Sequence, residues 1–414
     1  MVDFQIAIKG GMLLDDINKV GVANLVGRMM TQGTKNKTPL ELEQAIDELG
    51  ANINVYATDE SVVLQANCLS LKFDETFNLV EEILFEPRWD KKEFDRMKNE
   101  IIESIKRNKT SASATASNVF QKLVYGDNNI LSKNIVGTEE SVTAITLDEL
   151  KNYYKKYFAP QLSSVTIAGN VSENDAMDVF KSLADKWQKI DVKIPELPAP
   201  KTLSSSTCYF IDFPGARQSE IRIGSSGPAY TDTDYFKATV MNYKLGGSFN
   251  GVVNMILREE KGYTYGARTN FAGTEFPGYF VASAGVQSNA TLESAQIFRD
   301  EMNKYRDGVS VEDLDFTKNA MIKSNALRFE TIGALRGILS QIAKYNLPFD
   351  YVQDQEKQIQ DMTLDEHKNI AQKYIHTDKM IYLIAGDAAT QLEKVKELGL
   401  GDPILLDKDG NIVK

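Results

Sequence analysis

Ile145-Thr-Leu-Asp-Glu149, Lys155-Lys-Tyr157 and Ser164-Val-Thr-Ile-Ala-Gly169 return 217 residues later, in the same order and at near-equal spacing, as Met362-Thr-Leu-Asp-Glu366, Gln372-Lys-Tyr374 and Ile381-Tyr-Leu-Ile-Ala-Gly386. In each copy Thr-x-x-Glu predicts a capping box, in which the Thr oxygen and the Glu carboxylate satisfy amide donors that the first helical turn leaves orphaned. A β-branched strand that closes at Gly follows each helix. A repeat of this length points to two homologous α+β domains.

The joint between them falls where composition changes. Lys193-Ile-Pro-Glu-Leu-Pro-Ala-Pro200, followed by Ser204-Ser-Ser206, is the one Pro/Ser-dense stretch in the chain,. The first domain is therefore expected over 1–192, the linker over 193–206 and the second domain over 207–414. In the first, the patterns predict helices over Val20–Met30, from Thr38-Pro-Leu-Glu41 to near Gly50, and over Phe73–Leu84, Lys91–Lys109 and Ser113–Tyr125, with strands at Asn52–Ala57 and Ser61–Leu69,. In the second, strands are expected at Cys208–Phe213, Glu220–Gly224, Tyr265–Ala272 and Tyr279–Val286. Helices are expected over Asp234–Leu245, Gly251–Glu260, Ala290–Arg306, Val311–Leu327 and Ile332–Asn346. Runs of strands alternating with runs of helices favour antiparallel-rich sheets with helices packed on one face.

Composition narrows the function. The 414 residues carry 47 Lys plus Arg against 58 Asp plus Glu, a formal charge of −11, so a phosphate backbone would be repelled and nucleic acid is not an expected partner,. No apolar run reaches the ~18 residues that a membrane-spanning helix needs. The amino end lacks the basic region and cleavage site of a signal peptide, and the compartment stays open between cytoplasm and periplasm,. Cys68 and Cys208 lie in apolar, strand-like runs and read as buried free thiols,. The two histidines, His367 and His376, are nine positions apart, which suits no helical metal pair; both read as surface residues, and Glu81-Glu82 and Glu139-Glu140 as solvated helix charges,. Leu245-Gly-Gly-Ser-Phe-Asn-Gly251 lacks the Gly-Lys-Ser/Thr of a phosphate loop and reads as a turn between helices,.

Lys19-Val-Gly-Val-Ala-Asn-Leu-Val-Gly-Arg-Met-Met-Thr-Gln-Gly-Thr34, Leu49-Gly-Ala51, the internal repeat, Leu245-Gly-Gly-Ser-Phe249 and Leu257-Arg-Glu-Glu-Lys-Gly-Tyr-Thr-Tyr-Gly266 together resemble the pitrilysin/insulinase family of zinc metallopeptidases, the inverted zincins. The resemblance covers nearly the whole chain and matches one half-molecule of two homologous domains. In active members the first segment carries His-x-x-Glu-His: two imidazoles one turn apart hold Zn²⁺, and the Glu is general base for the bound water. Here the matching positions are Asn24, Gly27 and Arg28. An amide is a poor zinc ligand, glycine takes no proton, and a fixed guanidinium repels the ion. The family's third ligand falls at Glu100 or Glu103, which has no imidazole to work with, so no zinc is expected in this chain.

The resemblance also implies a partner. Family members close two halves into a chamber, one holding the metal and the other supplying an Arg and a Tyr to the bound peptide. Arg258 matches the first, and Tyr263 or Tyr265 the second. The guanidinium would bind a peptide carbonyl or carboxylate, and the phenol would donate to the developing oxyanion. The implied role is that of a non-catalytic half or subunit, inactive alone, which binds and orients peptide for a zinc-bearing partner half. The alternative is a structural scaffold subunit of the same descent. A family half usually opens with one or two further strands before the segment that Phe4–Lys9 resembles, so an incomplete first sheet with an exposed edge is expected.

Overall fold

In a computed structural model, which describes residues 1–413, the chain forms two compact units, each built on one sheet. The first sheet contains β1 (Val2–Lys9), β2 (Asn52–Ala57), β3 (Ser61–Cys68) and β4 (Ser163–Gly169), in the order β2-β3-β1-β4 and antiparallel throughout. The second contains β5 (Thr207–Asp212), β6 (Gln218–Ser226), β7 (Thr264–Ala272), β8 (Tyr279–Gln287), β9 (Ile381–Gly386) and β10 (Ile404–Leu406). Its order is β10-β5-β9-β6-β8-β7; β10, β5 and β9 run parallel and the remaining pairs antiparallel. The order β7-β8-β6-β9 repeats β2-β3-β1-β4, so β4 and β9 are the two copies of the strand in the sequence repeat. β9 is covered on its far side by β5, whereas β4 is an edge strand.

Alternation along the strands assigns the two faces of each sheet. In the first, Val2, Phe4, Ile6 and Ile8 of β1 enter the core with apolar residues of α1 (Val22–Met30), α2 (Pro39–Glu48), α3 (Phe73–Phe85) and α4 (Lys91–Asn108). Asp3 and Gln5 point the other way and meet Arg336 of the helix Ile332–Tyr345, with Asp3 and Arg336 paired at 2.7 Å. In the second sheet, Ile221 and Ile223 of β6 enter the core, while Arg222 points to α5 (Ala112–Tyr125) and donates to Ser113 Oγ at 3.2 Å. Each sheet thus has its main helical layer on one face and, on the other, a helix from the opposite half of the sequence. Accordingly 107–132 belongs to the second compact unit and 326–349 to the first. Between Lys186 and Thr207 there is no helix or strand.

The repeated helices Leu147–Tyr157 and Leu364–Tyr374 open differently from expectation in one copy. Thr146 and Glu149 form the full capping box, but Thr363 makes only its own bond to the Glu366 amide, because the Glu366 carboxylate turns to Lys237 Nζ at 2.5 Å. Two surface assignments are corrected. Glu81 is buried, held by Ser182 Oγ at 2.6 Å and Lys186 Nζ at 2.5 Å. His367 is only 1% exposed, with Nε2 3.3 Å from the Tyr305 hydroxyl, which itself donates to the Met241 carbonyl, and with Nδ1 buried without a hydrogen-bond partner.

Burial disfavours the imidazolium and pushes the His367 pKa down to about 4, below its ordinary 6.5,. Between these values the unfolded chain binds a proton that the folded chain does not, so stability falls as pH drops from 6.5 toward 4,. The loss is about 3 kcal/mol over that window. Chemical denaturation across this range should show it, and His367→Gln should flatten the acid limb; an unchanged slope would contradict the assignment.

Candidate functional site

The helix that carries Asn24, Gly27 and Arg28 is fixed first at its start. Asp15 accepts from the Gly21 and Ala23 amides at 2.9 Å each, placing a carboxylate at the positive end of α1,. Burial outweighs these bonds and pushes its pKa up to about 7. On α1, Asn24 is 9% exposed and its amide nitrogen is buried without a partner. Gly27 lies against β2 so closely that a β-carbon there would sit 3.1 Å from the Tyr56 and Ala57 backbone. Arg28 is exposed in the last turn.

The carboxylates that the sequence offers as a third ligand are engaged elsewhere. Glu100 accepts from Arg96 at 2.6 Å, and Glu103 pairs with Lys106 at 2.8 Å. The other arm of Arg96 donates to Gln32 Oε1 at 2.7 Å, one turn beyond Arg28. An amide, a bare backbone and a guanidinium, with both acids paired to cations, do not make a zinc donor set. Among the described residues no cluster of three or more His, Cys, Asp or Glu is placed to hold a metal.

The Arg/Tyr segment has a different character, because both of its side chains are set by irregular backbone. Tyr235–Asn242 runs into a π-helical turn at Tyr243–Gly247, and Val252–Asn254 into a second at Met255–Glu260, where one continuous α-helix each was expected. The wider turn changes the direction in which Arg258 leaves the helix. Its guanidinium carbon lies 4.7 Å from the Phe249 ring centroid, and its Nε is 3.4 Å from Glu259. β7 then begins with a bulge between Thr264 and Ala267, and Tyr265 projects from it 91% exposed,. Thr264 Oγ1 stabilises the bulge, donating to the Gly285 carbonyl at 2.8 Å and accepting from the Gly266 amide at 3.0 Å.

Tyr263 is placed otherwise. Its hydroxyl donates to Glu293 at 2.6 Å, and Lys261 reaches the same carboxylate at 3.0 Å. The shared hydrogen bond raises the Tyr263 pKa and lowers that of Glu293. Of the two tyrosines only Tyr265 offers a free phenol.

Two residues to which sequence reasoning gave no role tie this region together. Asn242 donates to the Thr269 carbonyl at 2.9 Å and accepts from Thr269 Oγ1 at 2.6 Å, which pins the first π-turn to β7. Asn254, 2% exposed, donates to the Phe249 carbonyl at 2.7 Å and accepts from the Ala267 amide at 3.0 Å. The signal for both was a polar amide within an otherwise apolar helical stripe, a position that requires partners.

The comparisons with known proteins bear on the family and the fold. Residues 1–138 match the family model described as Insulinase (Peptidase family M16), and residues 144–321 match that described as Peptidase M16 inactive domain. A Bacillus subtilis protein named as an uncharacterized zinc protease, YmxG, is 24% identical over 75% of this chain and 75% of its own. A Helicobacter pylori protein named as a non-peptidase homolog, YmxG, is 22% identical over 92% of this chain and 88% of its own. A crystal structure of a peptidase M16 inactive domain from Pseudomonas fluorescens superposes with a TM-score of 0.86 at 25% identity, covering 93% of each chain.

Metal analysis checks the site directly: purified chain dialysed against zinc and desalted should retain far less than one equivalent, and a chelator should leave its melting temperature unchanged. One equivalent of zinc with a chelator-dependent loss of stability would contradict the reading. A family model matched over residues 1–138, a second over residues 144–321 and a shared architecture leave one assignment: the chain belongs to the insulinase family of peptidases, peptidase family M16, and its sequence holds no His-x-x-Glu-His motif.

Proposed function

We propose that this chain binds extended peptide and orients it for a zinc-bearing homologous half, with Arg258 and Tyr265 as the groups that reach the peptide. The observation that carries this is an asymmetry between two sites. The metal positions hold Asn24, Gly27 and Arg28, whereas the Arg/Tyr segment keeps a half-buried guanidinium and an exposed phenol, each aimed by its own backbone irregularity. A phenol in solvent and a guanidinium paired to a carboxylate only through Nε at 3.4 Å suit an acceptor supplied from outside, such as a peptide carbonyl or carboxylate,. In this reading the units of duplication are 1–192 and 207–414 joined by 193–206, and hydrolytic power resides in the partner half.

A scaffold subunit of the same descent is the competing reading. It gives Arg258 and Tyr265 no chemical task, so the two readings differ in what Arg258 does. Fluorescence anisotropy with a labelled, basic, unstructured peptide decides between them. Arg258→Ala should weaken binding on the order of tenfold, the loss of a charge-assisted hydrogen bond, and Tyr265→Phe should weaken it less, neither altering the melting temperature. Tyr263→Phe should instead lower the melting temperature through its lost bond to Glu293 and keep most of the binding. The wild-type chain alone should cleave nothing. Absent binding, or Arg258→Ala binding as wild type does, would overturn the proposal in favour of scaffolding.

A further inference from the structure

We infer that Phe249 is the residue that presents Arg258 to the peptide, and that Asn254 holds the pair in register with Tyr265. This rests on the peptide-binding reading above and names residues to which it gives no part. Phe249 is 48% exposed, a large apolar ring left in solvent at the end of Leu245-Gly-Gly-Ser-Phe249. The Arg258 guanidinium lies over this ring, 4.7 Å from its centroid. Stacking on a ring occupies one face of the guanidinium and leaves its N–H edge for a planar acceptor, which an ion pair with a carboxylate would instead consume. The ion pair that Arg258 does make, to Glu259, runs through Nε at 3.4 Å; its terminal nitrogens donate to no group among the described residues.

The position of the ring is itself fixed. The Phe249 carbonyl accepts from Asn254 Nδ2, and the same amide's oxygen accepts from the Ala267 N–H, two residues past Tyr265. One buried side chain therefore joins the loop that carries Phe249, the π-turn that carries Arg258 and the bulge that carries Tyr265. Preorganising separate donors against one another lowers the entropy lost when a peptide arrives. Phe249 and Asn254 are positioning residues in this account. The surface they complete, with Met255 41% exposed beside Arg258, suits an extended peptide whose apolar side chain flanks the bound acceptor.

The test uses the intact chain and the same labelled, basic, unstructured peptide. Phe249→Leu, at an exposed position, should keep the wild-type melting temperature and weaken binding about three- to tenfold, the range of a partly desolvated cation–π contact. Phe249→Tyr, which keeps the ring face, should restore wild-type binding. Asn254→Asp keeps the acceptor for Ala267 but sets a carboxylate against the Phe249 carbonyl, so it should weaken binding as Phe249→Leu does; if it melts early, the Phe249 pair decides alone. Phe249→Leu binding like wild type while Arg258→Ala is weakened would overturn this inference and leave the peptide-binding reading standing, as would equal losses in the Leu and Tyr variants. Unchanged binding in Arg258→Ala would overturn both.

Discussion

In each unit a helix glycine is pressed onto the backbone of the strand at the end of the sheet, and neighbouring side chains are arranged around that contact. In the first, Gly27 of α1 lies on Tyr56 and Ala57 of β2; in the second, Gly246 lies so near β7 that a β-carbon there would be 2.6 Å from the Thr269 amide. An asparagine precedes each glycine on the same helix, Asn24 three positions before and Asn242 four, the extra residue falling in the π-turn at Tyr243–Gly247. β2 and β7 occupy equivalent places at the ends of their sheets. Both units thus bring a helix glycine into close contact with the strand at the end of the sheet, which leaves no room there for a larger side chain. The likeness is incomplete: Asn242 satisfies both ends of its amide on Thr269, whereas the Asn24 amide nitrogen has no partner. A buried unpaired donor costs about 1–3 kcal/mol, a cost that the second unit avoids at Asn242.

The exchanged helices reach their sheets by different physics. α5 meets the second sheet with apolar residues, including Phe120 and Tyr125 packed edge-on to Tyr279. The helix Ile332–Tyr345 buries no residue fully and is held by charge: Arg336 to Asp3, Lys344 to Glu60, and a hydroxyl contact between Ser340 and Thr166 at 3.1 Å. Desolvation dominates at Asp3, raising its pKa despite the arginine beside it,. Breaking a buried pair of this kind is costly while forming it contributes little net stability, so these contacts specify where the helix lies more than they stabilise it.

The architecture was largely legible in the sequence because its signals are local. The capping boxes at Thr38 and Thr146 and the strand Asn52–Ala57 formed as the residues required, and the repeat located the equivalent strands β4 and β9. What escaped notice depends on partners distant in sequence. The burial of Glu81 depends on Ser182 and Lys186, about a hundred positions away, and that of His367 on Tyr305 and Met241. The π-turns were hidden for another reason: apolar periodicity near 3.6 cannot register one extra residue in a single turn. The two tyrosines of Tyr-Thr-Tyr were indistinguishable by spacing, and only a β-bulge together with Glu293 separates them.

A metal site and a lone guanidinium differ in what they require of the chain. A zinc site needs several ligands at once, so replacing any one of them removes most of the affinity, and further replacements meet little additional penalty. A single cation resting on an aromatic ring has no such cooperativity; it acts as a donor by itself, provided that its place is held. Asn254 supplies that provision with two hydrogen bonds, one to the carbonyl of Phe249 and one to the strand behind Tyr265. A donor of this kind needs few parts to hold it, whereas a metal site needs many at once.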